Sequence, residues 1–203
     1  WYTIYIVIGV LLMVYSVPLG AKKRSMEIKT ATFAGGCFWC MEPIFDAQDG
    51  VKETTVGYMG GHVPTPSYEM VITGQTGHAE VVQIKYHPNE ISYYELLEIF
   101  WKNIDPTSLN QQFADKGSQY QTIIFYHDKT QRELSEQSKL ALLESGKFNK
   151  KIMTVIKPAS QFYIAEEYHQ DYYKKNTLHY EVYKKASGRE LFLEKIWGKK
   201  KDE

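Results

Sequence analysis

The two cysteines of this chain stand three residues apart, as Cys37-Phe38-Trp39-Cys40, directly behind Gly35 and Gly36. Residues 37–50 read as a helix that opens at Cys37 and closes at Gly50. A thiol at a helix start meets unpaired backbone N–H groups and the positive end of the helix dipole, and both favour the thiolate. Cys37 is therefore a candidate nucleophile. Cys40 follows one turn later, a spacing that brings two Cα atoms within roughly 5–6 Å, inside the window for a disulfide. The pair is suited to cycling between dithiol and disulfide. Two inert buried cysteines are the plainer alternative. A zinc site is poorer, because the six histidines are scattered and two thiolates need further ligands at metal spacing.

A second candidate lies in His78-Ala-Glu-Val-Val-Gln-Ile-Lys-Tyr86. A strand period of two puts Glu80, Val82, Ile84 and Tyr86 on one face, and Ala79, Val81, Gln83 and Lys85 on the other. Glu80 shares the more apolar face. Desolvation there would raise its pKa and let it hold a proton near neutrality, as a general acid must. A place at the wetted end of the strand is the alternative, and spacing alone leaves both open.

These residues need a frame. Strands are predicted over 26–36, 51–61, 78–88, 120–126 and 151–158, with helices over 37–50, 92–104, 129–145 and 165–176. Ser92 and Glu95 form a capping box, and Gly146 stops the helix before it. Strands and helices alternate irregularly, so the fold class is α/β (α+β), with helices covering a mixed sheet. The length favours one domain, placed at 25–190 and followed by a Lys-rich tail, 191–203, read as solvated. Twenty-four acidic residues balance 24 basic ones, so there is no global field to gather nucleic acid. From Trp1 to Ala21 the chain carries no charge, and Lys22, Lys23 and Arg24 then stop the run. About 20 apolar residues span a bilayer. Residues 1–24 are thus expected to be a signal peptide or membrane anchor, giving a membrane-tethered or exported domain. A cytoplasmic-facing domain is the alternative.

Taken together, GCFWC at 36–40, VGYMGG at 56–61, PTPSYEMV at 64–71, TGHAEVVQIKY at 76–86, FWKNIDPT at 100–107, DKGSQYQTIIFY at 115–126 and FYIAEEYHQDYY at 162–173 resemble the peptide methionine sulfoxide reductase A family. The resemblance runs from about Ile28 to Tyr173. It implies a two-layer α-β sandwich with a mixed sheet, no metal and no organic cofactor. It also implies thiol-dependent reduction of the S epimer of free and protein-bound methionine sulfoxide, a repair of oxidised proteins. Carried over by position, Cys37 attacks the sulfoxide sulfur and Glu80 protonates its oxygen, which Tyr68 and Tyr120 hold. Phe38 and Trp39 form the methyl pocket, and Asp115 helps anchor the substrate backbone. His78, Asp105, His169 and Tyr172 fall in matching blocks and are expected to pack or support.

Oxygen transfer would leave Cys37 as a sulfenic acid, for which Cys40 is the resolving thiol. Here the chain departs from a common family pattern, in which glycine follows the Phe-Trp pair and the resolving cysteine lies near the C-terminus. Recycling then requires an external dithiol such as thioredoxin. A monomer is expected, with possible membrane association through residues 1–24. The alternative function is that of a thioredoxin-like CxxC thiol-disulfide oxidoreductase, which would have no use for Glu80, Tyr68 or Tyr120.

Overall fold

Alternation in Ala79–Tyr86 sorts the whole sheet. Val82, Ile84 and Tyr86 join Phe33, Val56 and Tyr58 in the main apolar core, whereas Ala79 and Val81 join Ala34, Met59, Ile123 and Phe125 in a smaller one on the opposite face. In the computed structural model, which describes residues 27–198, eight strands form in chain order. They are β1 (Lys29–Gly35), β2 (Val51–Met59), β3 (Ala79–Tyr86), β4 (Gln111–Gln112), β5 (Asp115–Lys116), β6 (Thr122–Tyr126), β7 (Val155–Pro158) and β8 (Tyr163–Ile164). Six of them make one sheet in the order β7-β6-β1-β3-β2-β8, in which only β6 and β7 are parallel. The sheet is mixed, as expected. β4 and β5 pair as a separate ribbon.

The helices are α1 (Phe38–Asp46), α2 (Tyr68–Val71), α3 (Tyr93–Trp101), α4 (Lys129–Glu144), α5 (Tyr172–Lys175), α6 (Thr177–Ala186) and α7 (Arg189–Trp197). Phe38, Met41 and Phe45 of α1, Leu96, Leu97 and Phe100 of α3, and Leu142 of α4 fill the main core against the sheet. Each fully buried side chain of this kind contributes about 1.5–3 kcal/mol relative to exposure. Ser92 and Glu95 cap α3 reciprocally, at 3.2 and 2.7 Å. Gly57 lets β8 close on β2, since a Cβ there would lie 2.3 Å from the Tyr163 carbonyl oxygen.

Two elements differ from their sequence reading for local reasons. Of residues 151–158 only the last four join the sheet, because the Met153 N–H is taken by the Pro106 carbonyl. Residues 165–176 break into a single 3-10 turn, Glu167–His169, and α5. Between them the Gln170 side chain bonds both the N–H and the carbonyl of Val56, and Asp171 adopts a left-handed φ of 52°. Helix α7 runs to Trp197, into the stretch read as the Lys-rich tail.

The expected membrane anchor, and with it the membrane-tethered or exported localisation, is corrected. Among the described residues no helix is long and apolar enough to cross a membrane. The longest, α4, has 16 residues and carries Lys129, Arg132, Glu133, Glu136, Lys139 and Glu144. The apolar segment 1–24 itself lies outside the described residues.

Candidate active site

Strand β1 ends in Gly35-Gly36, and the chain turns there into α1. Gly36 has φ 88°, and a Cβ on it would stand 2.5 Å from Gln112 Cβ, so the turn has room only for glycine. Cys37 follows as the N-cap residue of α1, with no side-chain capping bond. The first helical N–H, that of Phe38, donates instead to Glu80 Oε2 at 3.0 Å. The helix start thus serves the carboxyl rather than the thiol.

The expectation of a ready thiolate at Cys37 is not met. The thiol is 6% exposed, and burial pushes its pKa well above the ordinary value, helped by its hydrogen bond with Cys40 and by the charge of Glu80. Cys40, also buried, goes the other way: the hydrogen bond from Cys37 lowers its pKa, and Arg189 adds to this against the effect of burial. Both thiols are free and lie within hydrogen-bonding reach of each other.

Glu80 lies opposite Tyr58 near the start of β3, at a strand end that is buried rather than wetted. Burial pushes it up to about 8 against the Phe38 hydrogen bond, with Asp115 and Cys40 adding to the rise. Tyr68 opens α2, its N–H held by Glu166 Oε1 at 2.8 Å. Tyr120 closes a 3-10 turn, Ser118–Tyr120. Burial, followed by the charge of Glu80, pushes Tyr68 up to about 12 and raises Tyr120 as well, and Cys37 acts on both. The two phenols, the acid and the thiol therefore lie within one another's electrostatic reach.

Phe38 is buried against Tyr58 and His169, with ring centroids 6.0 and 5.0 Å away. Trp39 stacks on Tyr172 at 3.8 Å and donates from Nε1 to His169 Nδ1 at 3.0 Å. Burial lowers the His169 pKa, which keeps the ring neutral and Nδ1 free to accept. Asp115 accepts from the Tyr183 hydroxyl at 2.6 Å. His78 and Asp105 lie in structural bonds: His78 Nδ1 accepts from Gly61 N–H, and Asp105 accepts from Thr107 and Ser108. Among the described residues no group of three or more His, Cys, Asp or Glu is placed to hold a metal.

Sequence reasoning missed Tyr183. Besides bonding Asp115, its hydroxyl hydrogen-bonds the Cys37 thiol, and its ring stands edge-on to Trp39 at 6.0 Å. It lies on polar helix α6, 68 residues beyond Asp115, and no local pattern marks it. The arrangement can deliver a thiol to an electrophile, a proton to the atom that departs, and a second thiol to the oxidised first.

The comparisons agree with this chemistry. The family profile described as peptide methionine sulfoxide reductase matches residues 29–201. The peptide methionine sulfoxide reductase MsrA of Bacillus subtilis (strain 168) is 53% identical over 176 residues, 87% of this chain and 99% of that protein. MsrA 2 of Staphylococcus aureus (strain MW2) is 51% identical over 173 residues, 85% of this chain and 98% of that one. Among solved structures, reduced Mxr1 from Saccharomyces cerevisiae aligns with a TM-score of 0.67 at 38% identity, covering 74% of this chain and 86% of its own. Methionine sulfoxide reductase A of Corynebacterium diphtheriae aligns with a TM-score of 0.67 at 32% identity, covering 76% and 77%. The chain belongs to the peptide methionine sulfoxide reductase A family, and it is a thiol-dependent oxidoreductase that reduces methionine sulfoxide through a catalytic cysteine.

Proposed function

We propose that the enzyme reduces the S epimer of methionine sulfoxide, free or in proteins, with Cys37 as nucleophile, Glu80 as acid and Cys40 as resolving thiol. The observation that carries the reading is Glu80, a buried carboxyl with a pKa near 8, fastened to the N–H of the residue after Cys37. Cys37 sulfur attacks the sulfoxide sulfur while Glu80 delivers a proton to the oxygen, and Tyr68 and Tyr120 donate to that oxygen. The Cys37 proton restores Glu80. The products are the thioether and a Cys37 sulfenic acid. Phe38 and Trp39 enclose the S-methyl group in polarisable, apolar surface, and Asp115 holds the substrate backbone.

Cys40 then condenses with the sulfenic acid, forming a disulfide and releasing water. Its hydrogen bond to Cys37 supports this step. Thioredoxin or an equivalent dithiol reopens the disulfide by thiolate attack through a mixed disulfide.

A methyl cage on one side and an oxygen site on the other select one configuration at sulfur. Single-turnover methionine release from each epimer, run on wild type, Cys37→Ser and Cys40→Ser, tests the assignment. Only the S epimer should react. Cys37→Ser should release no methionine, and Cys40→Ser about one per enzyme before stopping as sulfenic acid. Comparable rates on both epimers, or turnover by Cys37→Ser, would overturn it. Insulin reduction without sulfoxide reduction would restore the disulfide-exchange alternative.

A further inference from the structure

Helix α7 carries a buried cation that the reaction described above does not use. Arg189 follows Gly188, whose φ of 75° redirects the chain, and is 5% exposed. Its guanidinium donates to the Gly35 carbonyl at 3.2 Å and the Asn103 carbonyl at 2.5 Å, and it lies 3.4 Å from Met41 Sδ. Nη2 is also 3.4 Å from where a Cβ on Gly36 would stand. Phe113 meets the guanidinium with its ring face at 4.5 Å. The group is thus wedged behind the glycine turn that precedes Cys37 and against the residue that follows Cys40. Both of its carbonyl acceptors are neutral, and Nε is buried with no partner. A buried cation of this kind needs an anion in its field.

We propose that Arg189 is a positioning residue for the resolving step: its buried guanidinium holds the Cys37–Cys40 turn and balances the negative charge on Cys40 as that sulfur attacks the Cys37 sulfenic acid. The inference rests on the Cys37–Cys40 reading above. In the step, the Cys37 S–O bond breaks and the S–S bond forms. Cys37 sulfur is reduced and Cys40 sulfur is oxidised, and the leaving hydroxide departs as water with a proton equivalent to the one Cys40 gave up. The titratable and charged groups whose fields reach Cys40 are Cys37, Glu80 of β3, Asp115 of β5, Tyr180 and Lys184 of α6, and Arg189. Glu80 holds its proton up to about pH 8, and Asp115 is bonded by Tyr183. Lys184 is paired with Glu190 at 2.8 Å and is partly exposed, which screens it. Arg189 is the buried cation of the set.

The test uses the full chain and one equivalent of the S sulfoxide. Methionine is followed by chromatography, the sulfenic acid by a dimedone mass tag, and the disulfide by mass after alkylation. In Arg189→Met the ratio of disulfide formation to methionine release should fall at least tenfold, the tagged sulfenic acid should accumulate, and half-maximal disulfide formation should move to higher pH. Arg189→Lys should recover most of the loss. A folded Arg189→Met that keeps the wild-type ratio, or an Arg189→Lys as slow as Arg189→Met, overturns the inference. Should circular dichroism show Arg189→Met unfolded, Arg189→Gln decides, because it keeps donors for the Gly35 and Asn103 carbonyls without the charge. Its ratio of disulfide formation to methionine release should also fall at least tenfold, and a wild-type ratio overturns the inference. Wild type that releases methionine without forming the Cys37–Cys40 disulfide would instead defeat the reading on which the inference rests.

Discussion

Residues 29–126 and residues 163–197 both reach Cys37, but they are held by different means. The first region is fastened by paired strands and by side chains with no exposure, such as Phe33, Phe45, Leu96 and Phe100. The second leaves Leu178, Val182 and Leu191 exposed, at 82%, 61% and 75%, and hangs on a few polar anchors. Glu166 accepts from Tyr58 and Tyr68, Gln170 brackets Val56, Tyr183 bonds Asp115, and Arg189 reaches Gly35. Burial in the first region is spread over many contacts. Beyond the short β8 pairing and the Tyr172–Trp39 stack, the C-terminal wrap leans on single hydrogen bonds, each worth about 0.5–1.5 kcal/mol, or about 1.5–3 kcal/mol where a charge is involved. Chemistry should therefore fail steeply when the framework is changed and in small steps when the wrap is changed.

The largest effect belongs to the framework. Glu80→Gln keeps the shape and the Phe38 bond but has no acidic proton, so single-turnover oxygen transfer should slow by about 10²–10⁴-fold. In wild type the rate should fall as pH rises through about 8, where Glu80 loses its proton. In the variant that falling limb should disappear. An unchanged rate would reduce Glu80 to a packing residue and blur the contrast between the regions.

Tyr183→Phe probes the wrap. It removes the hydroxyl from Asp115 and Cys37 while keeping the ring against Trp39. A loss of about tenfold in kcat/KM is expected, from one charge-assisted hydrogen bond. A loss as large as that of Glu80→Gln would make the two regions equal partners in the chemistry.

The smallest effect lies at the seam. Glu42 of α1 is buried, accepts from the Asp171 N–H at 3.2 Å through one oxygen, and has no partner on the other. Burial pushes its pKa up to about 7. A raised carboxyl pKa means that the folded state holds the proton more tightly than the unfolded one. The contribution is therefore present at low pH and lost as pH rises from about 4.5 through 7. Glu42→Gln should leave stability near pH 4 almost unchanged and raise it by about 1–3 kcal/mol at pH 8, or about 2–4 °C in Tm per kcal/mol. An equal Tm difference at both pH values would show that Glu42 does not titrate.

The framework was the more legible region because its signals are local. Period-two alternation put Glu80 on the more apolar face, leaving its burial open, and Ser92 with Glu95 announced α3 three residues apart. The wrap carries no such period. Tyr183 and Arg189 take their surroundings from residues 68 and 154 positions away, a separation that no window of sequence reveals. The thiolate expectation failed for a related reason: burial by distant parts of the chain raises the Cys37 pKa, and a carboxyl from a distant strand took the first helical N–H.

The depth of Cys37 and Glu80 also determines which damaged proteins can be served. A reacting sulfur must enter a site in which Cys37 is 6% exposed and Glu80 is 1% exposed. A sulfoxide packed within its own fold must first detach from it, so the observed rate scales with how often that segment opens. Each 1.4 kcal/mol or so of local opening free energy slows repair about tenfold. With protein-bound sulfoxide as the substrate, this depth would make the enzyme restore loosened segments first and leave well-packed ones until they fluctuate.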